Sequence, residues 1–143
     1  MVNFLNELFN LEKKIVLIIG AGGHICSALA EGFARSGCPI IIADLRLEKA
    51  LTVKQDIIEK GFKNVLAFEL DASKKNDHQK VLDEIINSHG QLDILINGAG
   101  INGATPFFNI DLKEWYSILD SQITGTFLGC QVFGKHMLED RKS

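Results

Sequence analysis

The sequence predicts an α/β fold in which a parallel sheet carries helices on both faces. Three observations support this: short apolar runs alternate with helical patterns, a glycine closes each of the first three helical patterns, and the first apolar run breaks directly into glycines. Strands that alternate with helices form parallel sheets. Right-handed crossovers around a central first strand predict a doubly wound sheet of order 3-2-1-4. Because 143 residues suffice for a buried core, we expect one domain over residues 1–143.

The first strand is expected at residues 15–19, a fully apolar run typical of a strand buried on both faces. A helix follows at 24–36 and ends at Gly37, a residue suited to a helix C-terminus. The apolar residues that recur in it at helical spacing are Ile25, Ala28, Leu29 and Phe33. In the lead-in before the first strand, Phe4, Leu8 and Phe9 are expected to cover the bottom of the core.

Two more strand–helix pairs continue the pattern. The strands are expected at 40–43 and 65–68, and the helices at 47–60 and 76–89. The strands end at Asp44 and near Asp71, and Gly61 and Gly90 close the helices. The residues expected to face inward are Leu47, Leu51 and Ile58 in the second helix, and Val81, Leu82, Ile85 and Ile86 in the third.

A fourth strand is expected at 94–96, and a loop rich in glycine and asparagine then leads to Asn109. Residues 111–114 form a capping-box pattern that starts a long helix over 112–138. Glycines inside a helix cost about 1 kcal/mol each relative to alanine, which favours a close-packing role. The three glycines of this helix are Gly125, Gly129 and Gly134. They indicate close packing, for which the chain's own sheet is one candidate surface.

Composition excludes several classes of partner. The net charge of −3 and the absence of a basic patch argue against nucleic acid. No apolar run approaches the roughly 20 residues of a membrane span, and the first ten residues lack a basic signal-peptide region. The three cysteines lack metal-site spacing, so no metal site is expected. They are read as reduced core thiols of a cytoplasmic protein.

The glycine turn after the first strand indicates a dinucleotide site. A strand, a glycine-rich turn and a helix let the backbone approach a pyrophosphate at the helix N-terminus. The residues assigned to this contact are Gly20, Gly22, Gly23, His24 and Ile25. The alternative is a tight turn that uses glycine for geometry alone.

Polar residues at the ends of the other strands strengthen this prediction. Asp44 lies about 20 residues beyond the turn, where a carboxylate can bind the ribose 2′-hydroxyl and repel a 2′-phosphate. NAD is therefore expected rather than NADP, although the nearby Arg46 offers a cation to a phosphate. Asp71 can reach adenine, and the alternative for both aspartates is a turn or cap role. All of these residues converge at the carboxyl ends of the strands, beside the switch point between strands 1 and 4.

Together these residues resemble the N-terminal, nucleotide-binding part of a short-chain dehydrogenase/reductase, a family with a Rossmann-type fold. Residues 20–26 resemble the glycine motif, Asp44 the ribose-binding acid, and Asp71 with Ala72 the adenine-contacting pair. The family's Asn-Asn-Ala-Gly motif corresponds to Asn97, Gly98, Ala99 and Gly100, and its Asn-x-x-Gly segment to residues 121–127. The resemblance implies hydride transfer between a nicotinamide cofactor and an alcohol, ketone or sugar. The lead-in at 9–14 resembles members that act on sugars and polyols.

Several positions depart from the family pattern. Ile19 replaces a threonine, and His24 and Cys26 replace the second and third glycines of the motif. Gly98 replaces the second asparagine of the fourth-strand motif. Gln122 occupies the position of a catalytic asparagine that holds a water of the proton relay, and its longer side chain is expected to displace that water. Together these departures indicate relaxed constraint.

The family's catalytic Ser, Tyr and Lys lie beyond the final helix, so no catalytic residue is assigned here. The single tyrosine, Tyr116, is followed four residues later by Asp120 rather than Lys, and we expect it to be a packing residue. The four histidines are expected in surface or capping roles. The chain alone is read as a dinucleotide-binding fragment without catalysis. The alternatives are an enzyme component completed by a second chain and a non-enzymatic interaction module.

The resemblance also predicts an exposed sheet edge. The fourth strand would lack its family neighbour, and exposed edges template association. The outer face of the final helix is expected to be partly apolar through Phe127, Leu128 and Val132. We therefore expect marginal stability, and self-association or a complementing chain bound through residues 112–138 and the fourth-strand edge.

Overall fold

The computed structural model describes residues 10–140, so the expected core contribution of Phe4, Leu8 and Phe9 lies outside the described residues. Four parallel strands form one sheet in the predicted order, β3-β2-β1-β4. The strands are β1 (Val16–Ile19), β2 (Ile40–Asp44), β3 (Val65–Glu69) and β4 (Ile94–Asn97). The helices that connect them are α1 (His24–Arg35), α2 (Leu47–Glu59) and α3 (Lys75–His89).

Two apolar layers cover the sheet. One layer joins alternate residues of β1 and β2 to α1 and α2, and the other joins the remaining residues of these strands to α3 and the helix that follows β4. Every residue of β1 and β2 is buried, which explains why these strands read as continuous apolar runs. The sheet is therefore doubly wound. From β1 the chain adds β2 and β3 on one side and then crosses back to add β4 on the other side of β1.

The inward faces of α1 and α2 differ from the prediction. In α1 the buried residues are Cys26, Ala30 and Ala34, whereas Ile25 is 79% exposed and Leu29 is 40% exposed. In α2 they are Ala50 and Ile57, whereas Leu47 and Leu51 are exposed. Most of the residues that face the sheet are small, and several of the larger apolar residues are left outside. In α3 the prediction was confirmed: Val81, Leu82 and Ile85 are buried and Ile86 packs beside them.

One long helix follows β4, as predicted, and we call residues 112–140 the C-terminal helix. Its successive segments are α4 (Leu112–Leu119), a π-helical segment (Asp120–Thr124), α5 (Gly125–Gly129), a second π-helical segment (Cys130–Gly134) and α6 (Lys135–Asp140). The residues at the junctions keep right-handed helical dihedral angles, so the helix is continuous. Asp111 caps it by accepting a hydrogen bond from the Glu114 N–H at 2.8 Å. The π segments, and a short 3₁₀ turn at Phe107–Asn109, were not predicted.

Two glycines of the C-terminal helix allow it to approach its own sheet. A Cβ at Gly125 would lie 2.9 Å from the Ala72 Cβ, and a Cβ at Gly129 would overlap the Asn97 side chain. Gly134 has no such neighbour within 4 Å. Packing on the chain's own sheet therefore explains the first two glycines.

Within residues 10–140, β4 pairs only with β1, so β4 is an edge strand as expected. All four of its residues are half-buried. The outer face of the C-terminal helix is apolar in part. Phe127 is 58% exposed and Leu128 is half-buried. Val132 is buried in the core, so the prediction that it lies on the outer face was wrong.

Tyr116 is also 58% exposed and is not the packing residue we expected. No helix in the described part of the chain is long and apolar enough to cross a membrane.

Candidate dinucleotide site

The turn after β1 is built on a glycine that no other residue could replace without strain. Gly20 has φ +80°, which favours glycine, and a Cβ there would lie 2.7 Å from the Ala99 backbone. The N–H groups of Gly20 and Ala21 donate to the Ala43 carbonyl at 2.8 and 3.1 Å. The turn is thereby fixed between the ends of β2 and β4.

The turn delivers the N-terminus of α1 to the carboxyl edge of the sheet. Gly23 is the N-cap, no side chain caps the helix, and its first turn contains no acidic residue. The free N–H groups and the positive end of the helix dipole suit an anion such as a pyrophosphate. His24 and Ile25, the first two residues of the helix, both have exposed side chains.

Asp44 lies against this turn. One carboxylate oxygen, Oδ2, accepts a hydrogen bond from the Gly22 N–H at 2.9 Å, and Oδ1 accepts one from the Arg46 N–H at 3.0 Å. A Cβ at Gly22 would lie 2.7 Å from Asp44 Oδ2, so the contact requires glycine. Asp44 is buried, at 8% exposure, and the two hydrogen bonds hold its carboxylate in one orientation at the end of β2.

Two departures from the family motifs are in contact with each other. A Cβ at Gly98 would overlap the Cys26 Sγ, so the thiol fills the space that a side chain at residue 98 would need. Burial, and secondarily the charge of Asp44, raise the pKa of Cys26, which favours the protonated thiol. The residues at these two positions are therefore sterically coupled: the Cys26 side chain fits because residue 98 has none.

The loop after β3 is held by its own side chains. Asp71 Oδ1 accepts hydrogen bonds from the Ser73 N–H at 3.0 Å and the Ser73 hydroxyl at 2.7 Å, and Oδ2 pairs with Lys74 at 3.0 Å. Partial burial opposes ionisation, but these bonds outweigh it and lower the pKa of Asp71. Asp71 thus has the turn role that the sequence offered as its alternative. Ala72 beside it is nearly buried, at 9% exposure.

An open cleft of about 740 Å³ lies between the end of β4 and the C-terminal helix. Its walls include Asn97, Gly98, Ala99, Gly100 and Gln122. The Asn97 Nδ2 donates to the Cys130 Sγ at 3.5 Å, so this side chain faces the helix. The Gln122 amide donates to the Ile101 carbonyl at 2.9 Å and packs on Gly100, which ties the loop to the first π segment.

The assigned residues therefore lie along one edge of the sheet, at the ends of all four strands. Sequence reasoning missed His78, which is fully buried behind the Asp71–Ala72 loop rather than on the surface or at a cap. It also placed all three cysteines in the core, whereas Cys130 is exposed. No group of three or more His, Cys, Asp or Glu side chains within residues 10–140 is placed to hold a metal ion.

Comparison with known proteins agrees with this architecture. Residues 14–143 match the family model for short chain dehydrogenases. The chain is 33% identical to the D-threitol dehydrogenase of Mycolicibacterium smegmatis over 132 residues, which cover 92% of this chain and 50% of that protein. The chain spans about half the length of the curated relatives it matches.

Two solved structures show the same fold. A short-chain type dehydrogenase/reductase from Mycobacterium marinum superposes with a TM-score of 0.89 at 26% identity, covering 96% of this chain and 56% of that one. The 3-ketoacyl-(acyl-carrier-protein) reductase from Brucella melitensis, complexed with NADH, gives a TM-score of 0.83 at 28% identity, with 91% and 52% covered. The fold, the motifs and the family match together establish that this chain belongs to the short-chain dehydrogenase family.

Proposed function

We propose that this chain binds NAD(H) in preference to NADP(H), as one nucleotide-binding domain over residues 1–143. The observation that carries the proposal is the position of Asp44. Its carboxylate is fixed by the N–H groups of Gly22 and Arg46 beside the uncapped N-terminus of α1. A carboxylate there accepts hydrogen bonds from a ribose 2′-hydroxyl and repels a 2′-phosphate.

The described residues fit the rest of a dinucleotide. Gly20, Gly22 and Gly23 would let the pyrophosphate approach the backbone of the turn, and the N–H groups of His24 and Ile25 at the start of α1 would receive it. Asp71 and Ala72 would contact adenine at the end of β3. The Asn97–Gly100 segment and Gln122 line the cleft on the other side of β1, where the nicotinamide half would lie. When bound, the cofactor would supply or accept the hydride.

The reaction class proposed for the parent enzyme is oxidation of an alcohol, sugar or polyol, or reduction of the matching ketone. The similarity to D-threitol dehydrogenase supports a polyol. We propose that this chain alone binds cofactor without catalysis. The family's proton transfer uses a Tyr whose pKa is lowered by a Lys, and the one tyrosine here is followed four residues later by Asp120.

A complementing chain is the second candidate function. The edge position of β4 and the exposed Phe127 favour it, because they leave strand and apolar surface available to another polypeptide. A non-enzymatic interaction module would use the same surface. In either case we propose a cytoplasmic location, in which the free thiols stay reduced.

The test is calorimetric titration of the 143-residue chain with NADH, NADPH and ADP-ribose. The proposal expects binding of NADH and ADP-ribose, weaker binding of NADPH, and no NAD-dependent turnover on a panel of sugars, polyols and secondary alcohols. Failure to bind any of the three, together with a stable complex with another protein, would instead support the interaction module. Reproducible turnover that is lost in Asp44→Ala would contradict the assignment without catalysis.

A further inference from the structure

His78 is a buried histidine in contact with the loop assigned to adenine. It lies in the first turn of α3 and has no exposed surface. Its Nε2 is 2.8 Å from the Ala72 carbonyl oxygen. Because a carbonyl oxygen only accepts hydrogen bonds, Nε2 must carry the proton and donate. The ring therefore holds the backbone of Ala72 from the side of α3.

The burial of the other ring nitrogen of His78 is energetically unfavourable. Nδ1 is buried and has no hydrogen-bond partner among the described residues. A buried polar atom without a partner is destabilising. The ring also packs edge-on against Phe133, with centroids 5.7 Å apart, in an otherwise apolar layer. An aliphatic side chain would pack here without that penalty, so the packing alone does not explain a histidine.

The C-terminal helix also contacts Ala72. Gly125 of the C-terminal helix lies so close that a Cβ there would be 2.9 Å from the Ala72 Cβ and 3.3 Å from its carbonyl oxygen. Leu70, two residues earlier, donates its N–H to the Asp44 carbonyl at 2.9 Å. The loop is thus fixed between α3, the C-terminal helix and the end of β2.

We propose that His78 is a positioning residue that sets the adenine-contacting loop of the cofactor site. The inference rests on the proposed function. It assigns to His78 the orientation of the Asp71–Ala72 backbone through the bond to the Ala72 carbonyl, with Gly125 of the C-terminal helix as a second contact on Ala72. Its consequence is selectivity for adenine over a base that lacks the 6-amino group, because a hydrogen-bonding site rejects a ligand that leaves its groups unpaired.

Two variants separate the hydrogen bond from the packing. His78→Gln keeps an amide N–H at about the reach of Nε2, whereas His78→Met has similar length and no donor. Both lose the ring contact with Phe133. We expect the wild type to bind NADH more tightly than its hypoxanthine analogue. That ratio should fall by about 3- to 10-fold in His78→Met, the effect of one hydrogen bond, and be largely retained in His78→Gln. Ile85→Val, on the same helix, controls for lost core stability.

A second pair of variants tests the contact between Gly125 and Ala72. Gly125→Ala should push Ala72 and reduce the same ratio, whereas Gly134→Ala, with nothing within 4 Å, should not. Hydrogen exchange supplies a ligand-free readout: the Ser73 and Lys74 amides, both bonded to Asp71, should exchange faster in His78→Met than in His78→Gln. Equal ratios and equal exchange in these two variants would overturn the role of His78. A wild-type chain that binds neither dinucleotide would overturn the proposed function itself and the adenine role with it.

Discussion

The thiol of Cys26, in the first turn of α1, occupies the space in which a side chain at Gly98 would begin, just beyond β4. Each residue replaces a different one in the family pattern. Their contact makes the two residues sterically compatible: the larger residue at 26 is accommodated by the smallest residue at 98. The packing of helix on sheet at the centre of the site is preserved by this fit.

Gly98→Asn should therefore be strongly destabilising alone and tolerated in combination with Cys26→Gly. Overpacking a filled space costs about 1–3 kcal/mol, and we expect the upper part of that range. The double variant Cys26→Gly with Gly98→Asn should recover most of the loss. Urea unfolding of the two single variants and the double variant measures the coupling directly. Additive effects would contradict the steric coupling.

Glycine-to-alanine substitutions should form a graded series. Gly20→Ala combines a positive φ with overlap of the Ala99 backbone, and we expect it to be the most destabilising, by more than about 2 kcal/mol. Gly61→Ala has positive φ in open space and should cost less. Gly32→Ala, in α1 with nothing within 4 Å, should stabilise by up to about 1 kcal/mol. Thermal unfolding gives the order, and a neutral Gly20→Ala would refute the close approach of turn and β4.

Asp93 should make stability depend on pH in the acid range. It accepts a hydrogen bond from the Ile15 N–H at 2.9 Å and pairs with Lys14 at 3.1 Å. Burial opposes ionisation, but the bonds from Ile15, Lys14 and Gln91 outweigh it and lower the pKa of Asp93. Its contribution is therefore full above the unfolded pKa, about 3.9, and is lost as pH falls through the lower folded value.

Asp93→Asn should reduce the free energy of unfolding by about 1–2 kcal/mol at pH 7, and the difference should shrink as the pH falls below 4 or so. Asp56→Asn, on the exposed face of α2, is the control and should have little effect at either pH. Urea unfolding at pH 7 and in the acid range compares the variants. A deficit in Asp93→Asn that persists unchanged into the acid range would show that the charge of Asp93 is not its cause.

The strand order was predictable because right-handed crossovers around a central first strand favour one arrangement, and the fully apolar run of β1 indicated a central strand buried on both faces. The position of Asp44 at the end of β2 was also predictable. One helical crossover separates the glycine turn from the end of the next strand, and its length sets the number of residues between them. The inward faces of α1 and α2 were not predictable. Apolar periodicity favours the large residues Ile25 and Leu51, whereas most of the residues that the helices bury against the sheet are small.

Contacts between segments that are distant in the sequence could not be predicted either. The overlap of residues 26 and 98 depends on how α1 meets the end of β4, and nothing local to either residue records it. The burial of His78 was missed for a similar reason, since Phe133 and Ala72, its neighbours, lie on other elements. One signal was present: His78 falls three residues before Val81, on the inward face of α3.

The exposed edge of β4 and the outer face of the C-terminal helix should cause self-association. Sedimentation over a concentration series should show a mass that rises with concentration, and the β4 amides should be protected only when it does. Phe127→Gln should weaken the association, whereas Leu51→Gln, 47% exposed on the opposite face of the sheet, should not. A monomer that persists at high concentration, with slow exchange at the β4 amides, would contradict association through this edge.

The measurement that tests the central claim most directly is the ratio of NADH to NADPH affinity in the wild-type chain and in Asp44→Ala. General damage to the fold lowers both affinities and therefore cancels in their ratio. We expect the wild type to favour NADH by at least about tenfold, because a fixed carboxylate repels a 2′-phosphate, and we expect Asp44→Ala to bring the two affinities within about threefold of each other. Equal affinities in the wild type, or a preference unchanged in Asp44→Ala, would contradict the assignment of Asp44 to the ribose.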